Sequence, residues 1–97
     1  MLEELGTTPD EVADALRTRG ITGVRNAARF LNPVVRYAHS VTTGVYGIDL
    51  MRPGVLRIVF ANGEVTEVPV PEAVLGFLDL FHRGAYPDLE MPIAPGS

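Results

Sequence analysis

Two histidines, His39 and His82, are the side chains of this sequence whose ordinary pKa lies near neutrality. His39 adjoins Ser40, but neighbours at a helix end project in different directions, so they do not form a base–nucleophile pair. A cationic side chain at that helix end is ordinary dipole complementarity. His82 follows Asp79 at the i, i+3 spacing, which can hold a metal ion, yet no third ligand lies near in sequence. Asp49 sits inside an apolar strand and is the candidate buried carboxylate. Arg57 or Arg52 across a hairpin is its expected partner, a structural role rather than a catalytic one. Without cysteine there is neither a thiol nucleophile nor a thiolate metal site. A glycine-rich phosphate loop, a nucleophile elbow and paired acid–base carboxylates are also missing. The sequence therefore predicts no catalytic residue, no metal site and no cofactor. An enzymatic or small-ligand-binding domain would need a pocket gathering Asp49, His39 or His82, and it ranks third among the readings.

Charge offers a second kind of chemistry. All eight basic residues are arginine, a bias that genome composition explains first. Residues 15–48 hold Arg17, Arg19, Arg25, Arg29 and Arg36 and no acid, whereas the rest of the chain has three arginines against twelve acids. On one continuous helix, Arg25, Arg29, Asn32 and Arg36 would fall within roughly 60° of arc. Such a stripe could grip phosphates or an acidic protein surface. The competing reading is a solvated face balanced by acids of neighbouring elements. Near the end, Tyr86-Pro87-Asp88-Leu89-Glu90-Met91 sets Tyr86, Leu89 and Met91 as apolar anchors among acids, the form of an extended docking peptide. Alternatively, Tyr86 and Leu89 seal the domain's own core.

The elements that would position these groups are readable from local signals. Thr8, Pro9 and Glu11 predict a capped helix over 9–19, with Gly20 as a left-handed stop and Ile21 folding back on Leu16. A second helical stretch is expected over 24–31. Asn32-Pro33 should break it and cap a fresh helix over 33–40, a single kinked helix being the alternative. The period then changes to two. Strands at 45–51, 55–61 and 65–70 form an antiparallel meander, turning at Pro53-Gly54 (type II) and Asn62-Gly63 (a two-residue hairpin). Both faces of the middle strand are apolar enough to be covered. Pro71 opens and Gly84 closes a very apolar helix over 71–83, expected to be buried on more than one side. A proline-punctuated extended tail follows.

These elements describe one α+β domain over 1–97, with 1–7 and 92–97 as candidate flexible ends. At 97 residues, 46% hydrophobic with a mean hydropathy of +0.18, the chain carries more apolar residues than a small sphere readily hides. The acidic start lacks a secretory leader, and no apolar run is long enough to span a membrane, so a soluble, cytoplasmic, bacterial-like protein is expected. The leading functional expectation is a non-enzymatic protein-interaction module: an accessory, adaptor or regulatory subunit, homo-oligomeric or part of a larger assembly. Arg25, Arg29 and Arg36 would make its charged contacts, and Tyr86, Leu89 and Met91 its apolar ones. The rival is a winged-helix-like nucleic-acid-binding regulator, with the hairpin as wing. It is disfavoured because the overall charge is −4 and the hairpin tip carries Glu64. No membrane partner is expected.

Overall fold

The computed structural model describes residues 1–25, 31–51 and 54–90. Helix α1 runs Pro9–Thr18, α2 Pro33–Val41 and α3 Glu72–His82; strands β1 Val45–Met51, β2 Val55–Phe60 and β3 Val65–Pro69 form one antiparallel sheet in the order β1-β2-β3. Single 3-10 turns at Leu2–Leu5 and Pro87–Leu89 precede and follow them.

Side-chain capping explains where the helices begin. Thr8 Oγ1 accepts from the Glu11 N–H at 3.2 Å, as the sequence predicts. The reciprocal half of the box is shifted by one residue, because the Glu11 carboxylate accepts from the Thr7 N–H (2.7 Å) and hydroxyl (3.0 Å). These donors hold the Glu11 carboxyl below its usual range, the Thr7 backbone N–H first. Asn32 Oδ1 accepts from the N–H groups of Val34 (2.9 Å) and Val35 (3.4 Å), and Pro33 supplies the first helical residue of α2. The break at Asn32-Pro33 is therefore real, and α2 starts anew.

Helix ends follow glycine. At α1, Gly20 takes φ +69°, the Ile21 N–H reaches Leu16 O and the Gly20 N–H reaches Arg17 O, each at 3.0 Å. This is the Schellman pattern, and Ile21 packs on the core beside it. The helix expected over 24–31 falls on residues 26–30, outside the described ones. At its flanks Val24 donates to Leu31 O (2.9 Å), and Gly23 forms a parallel bridge with Glu90.

The sheet turns differently from the sequence expectation at Asn62-Gly63. Phe60 N–H donates to Glu64 O (2.8 Å) and Gly63 N–H to Phe60 O (2.9 Å), so the loop holds residues 61–63 rather than two. Gly63, at φ +91°, supplies the left-handed third position that such a loop requires.

Helix α3 is the centre of the core. Phe77 stacks on Phe81 (5.8 Å between centroids) and on Tyr86 (5.2 Å). One flank of α3 meets α1 where Gly76 lies against the Pro9 ring; another meets the sheet where Leu75 lies over Gly54. Leu56 and Ile58 of β2 and Val12 and Leu16 of α1 are buried around it. Leu2 and Leu5 are buried in the core as well. Full burial of each such side chain stabilises the fold by about 1.5–3 kcal/mol before entropy is counted.

Candidate interaction surface

Each described arginine of the basic half has a partner within the protein. Arg25 Nε donates to Glu90 Oε1 at 2.8 Å, and an Arg36 guanidinium nitrogen donates to Thr22 O at 2.6 Å. Arg29 lies outside the described residues. Because α2 begins afresh at Pro33, Arg25 and Arg36 do not share one helix face, and the stripe is not built from them. Arg17 pairs with both Asp14 and Asp88 and lies over the Tyr86 ring, 5.8 Å from its centroid. Arg19 covers the Tyr37 ring at 5.1 Å. The Arg17 guanidinium holds the Asp88 carboxyl below the usual carboxylate range.

The Tyr86–Glu90 segment is a turn, not an extended tail. Tyr86 is 7% and Leu89 1% exposed, both within the core, which is the second of the two roles considered for them from sequence. Burial, then a 2.8 Å hydrogen bond donated by its hydroxyl to Asp10, pushes the Tyr86 phenol up to about 12. Met91 lies outside the described residues. His39 is exposed on the last turn of α2, and Ser40 donates to Tyr37 O at 2.6 Å. The His82 ring meets Phe81 edge-on at 5.5 Å, while its neighbour Asp79 pairs with Arg83 at 3.2 Å. Among the described residues no three His, Cys, Asp or Glu side chains gather as a metal site, and no pocket opens. No helix among them is long and apolar enough to cross a membrane.

Asp49 is half-buried rather than buried, and it faces outward. Strand register sets Asp49 opposite Arg57, and Arg57 opposite Glu67, giving a row of alternating charge across all three strands. Two further rows flank it. Gly47 pairs with Val59 and Val59 with Val65 on one side, with Tyr46 carried beside Gly47 by a bulge in β1; Met51, Val55 and Pro69 align on the other. The opposite face carries Val45, Ile48, Leu50, Leu56, Ile58, Phe60 and Val68 into the core. The outer face remains open: Tyr46 is 82%, Val65 48% and Met51 41% exposed.

Sequence periodicity marks both faces as apolar and carries no signal for which one the helices cover. The β3 edge, by contrast, is protected. Bonding of Phe60 to Glu64 and of Val70 to Gly54 turns the N–H groups of Val65 and Glu67 outward on β3, where Pro69 has none to offer. Charge and proline on an edge discourage strand addition.

Comparison with known protein families, with characterised proteins and with solved structures finds no match to this chain.

Proposed function

We propose that this chain is a protein-interaction module, an accessory or regulatory subunit, whose binding surface is the outer face of the sheet. One observation carries the reading: Tyr46, at 82% exposure, stands with Met51 and Val65 around Arg57 at the middle of a three-strand face. Tyr, Met and Arg are the residue types enriched where protein interfaces bury their centres, and a fixed sheet presents them at low entropic cost. Isolated exposed apolar residues are ordinary, and Val41 and Leu80 are of that kind. Three on one pleated face, in the rows that flank the charged one, are a denser exposure than single scattered residues.

Nucleic acid fits this face poorly. Arg57 lies between Asp49 and Glu67, so a phosphate drawn to it would meet two carboxylates beside it. The described arginines of the basic half are engaged by Asp14, Asp88, Glu90, Thr22 and Tyr37.

A photo-crosslinking side chain at position 46, introduced in producing cells, tests the proposal, with Glu72 of α3 as the exposed control. Discrete protein adducts from position 46 and not from 72 are expected. Equal or absent labelling at 46 would refute the reading.

A further inference from the structure

We infer that the partner for the open sheet face is a second copy of this chain, docked face to face about a two-fold axis parallel to the strands and lying between β1 and β2. The inference rests on the reading of that face as a docking surface, and the charge row selects the geometry. A two-fold axis along the strands keeps each row opposite the same row of the other copy. Placed on β2, it would set Arg57 against Arg57. Placed across the strands, along the charge row, it would set Asp49 on Asp49 and Glu67 on Glu67. Both bury like charges at contact, which is costly.

An axis shifted to the gap between β1 and β2 removes the conflict. Asp49 then faces the partner's Arg57, and the partner's Asp49 faces Arg57, the reciprocity that an isologous contact requires. The flanking rows match too: Tyr46 and Gly47 meet Val59, and Met51 meets Val55, each twice. A shift to the gap between β2 and β3 would also pair opposite charges, Arg57 with Glu67. It would leave Tyr46 and Met51 outside the contact, whereas the axis between β1 and β2 leaves out only Val65 of the three exposed apolar side chains. Sheets packed this way cross at about −30°, so the rows align best near the axis, where the two ion pairs lie.

Two overlapped strands give a contact of roughly 20 Å by 10 Å. That is about a quarter of the ~800 Å² per partner of a standard interface, so a weak, reversible dimer is expected.

Sedimentation velocity on the purified full chain from roughly 1 to 500 µM follows its formation. The wild type should pass from monomer to dimer. Tyr46→Ser should raise the dissociation constant at least about tenfold while leaving the melting temperature unchanged, since Tyr46 makes no core contact. The decisive variant inverts the row: Asp49→Arg, Arg57→Asp and Glu67→Arg together keep alternation within the chain. The offset geometry has this variant self-associate and refuse the wild type, because a mixed pair would set carboxylate against carboxylate and guanidinium against guanidinium. A monomeric wild type, or mixed dimers preferred over like ones, overturns the inference. If the inverted chain does not fold, Tyr46→Ser still decides. A monomeric wild type that nevertheless crosslinks to a different protein through position 46 overturns the second-copy inference alone; no adduct at 46 overturns the docking surface itself.

Discussion

Replacing Gly23 by alanine should destabilise this fold by a clash with backbone and a proline ring that no side-chain rearrangement relieves. A Cβ at Gly23 would stand 2.5 Å from Pro33 Cδ, 2.6 Å from Leu31 O and 2.8 Å from Pro33 N. Ordinary carbon–carbon contact is at ~3.5–4.0 Å, so the overlap is about 1 Å. None of the three atoms is the loose end of a flexible side chain. Two are backbone, and the third is in the proline ring that starts α2. Relief requires the chain at 23–24 to withdraw from 31–33. That movement strains the Val24 N–H bond to Leu31 O (2.9 Å) and the Gly23 N–H bond to Leu89 O (3.0 Å).

Overpacking of this kind costs about 1–3 kcal/mol, and each hydrogen bond weakened adds about 0.5–1.5 kcal/mol. A total near 3 kcal/mol lowers the melting temperature of a domain this size by roughly 12–24 °C. Gly20→Ala is the internal control. Nothing lies within 4 Å of its Cβ position, but its φ is +69°. An L-residue there costs about 1–2 kcal/mol, and asparagine recovers part of the loss because it tolerates the left-handed region. Asparagine at 23 should recover nothing. Thermal and urea unfolding followed by circular dichroism distinguish the two cases. Gly23→Ala melting within about 3 °C of wild type, or Gly20→Ala proving the more damaging, would refute the steric argument.

Two pH dependences follow from groups the fold shifts in opposite directions. Tyr86 has a folded pKa of about 12, above the ordinary phenol value near 10. Its contribution is therefore complete below pH ~10 and lost as pH rises toward the folded value, so urea midpoints should fall between pH ~10 and ~12 and fall less in Tyr86→Phe. The tyrosinate absorbance step near pH 12 should vanish in that variant. Glu11 and Asp88 are shifted downward, by the Thr7 donors and by Arg17 respectively. Their stabilisation is present above the unfolded carboxylate value and is lost as pH falls through the lower folded value, so acid unfolding should begin below pH ~4. Asp88→Asn should flatten that acid limb; an unchanged limb would show that the Arg17–Asp88 pair is not linked to folding.

Features set by nearest neighbours in sequence were legible: the Thr8 and Asn32 caps, the Gly20 ending, the three strands and the apolar closing helix. Their physics acts within a turn or a hairpin. The 3-10 turn at Pro87–Leu89 was not legible, because its conformation is decided by partners remote in the chain. Tyr86 bonds Asp10, Asp88 pairs with Arg17, and Leu89 O accepts from Gly23. Proline at 87 is as compatible with the first residue of such a turn as with an extended tail. The hairpin at Asn62-Gly63 was recognisable, but its length was set by keeping Leu56 opposite Val68 on the core face. The alternation of Leu56, Arg57, Ile58 and Val59 defined two faces of β2. Choosing between them depended on where α3 packs, which strand periodicity does not encode.

The division into a basic and an acidic half resolves into two separate devices. Along one side of the molecule it fastens the end of the described chain to its beginning: Asp88 to Arg17 and Glu90 to Arg25. Exposed pairs of this kind contribute only ~0–1 kcal/mol each. Most of the energy holding Tyr86 and Leu89 in place is their burial, about 1.5–3 kcal/mol apiece. What the ion pairs add is orientation. They set which way the turn enters the core, and with it the Gly23–Glu90 bridge that closes against the start of α2. On the sheet the same alternation of sign works differently, because Arg57 lies among carboxylates on an open surface. A charge so placed adds little affinity, yet it penalises every docking register that does not supply a carboxylate. The apolar rows around it set how strongly a partner is held, and the charged row sets where.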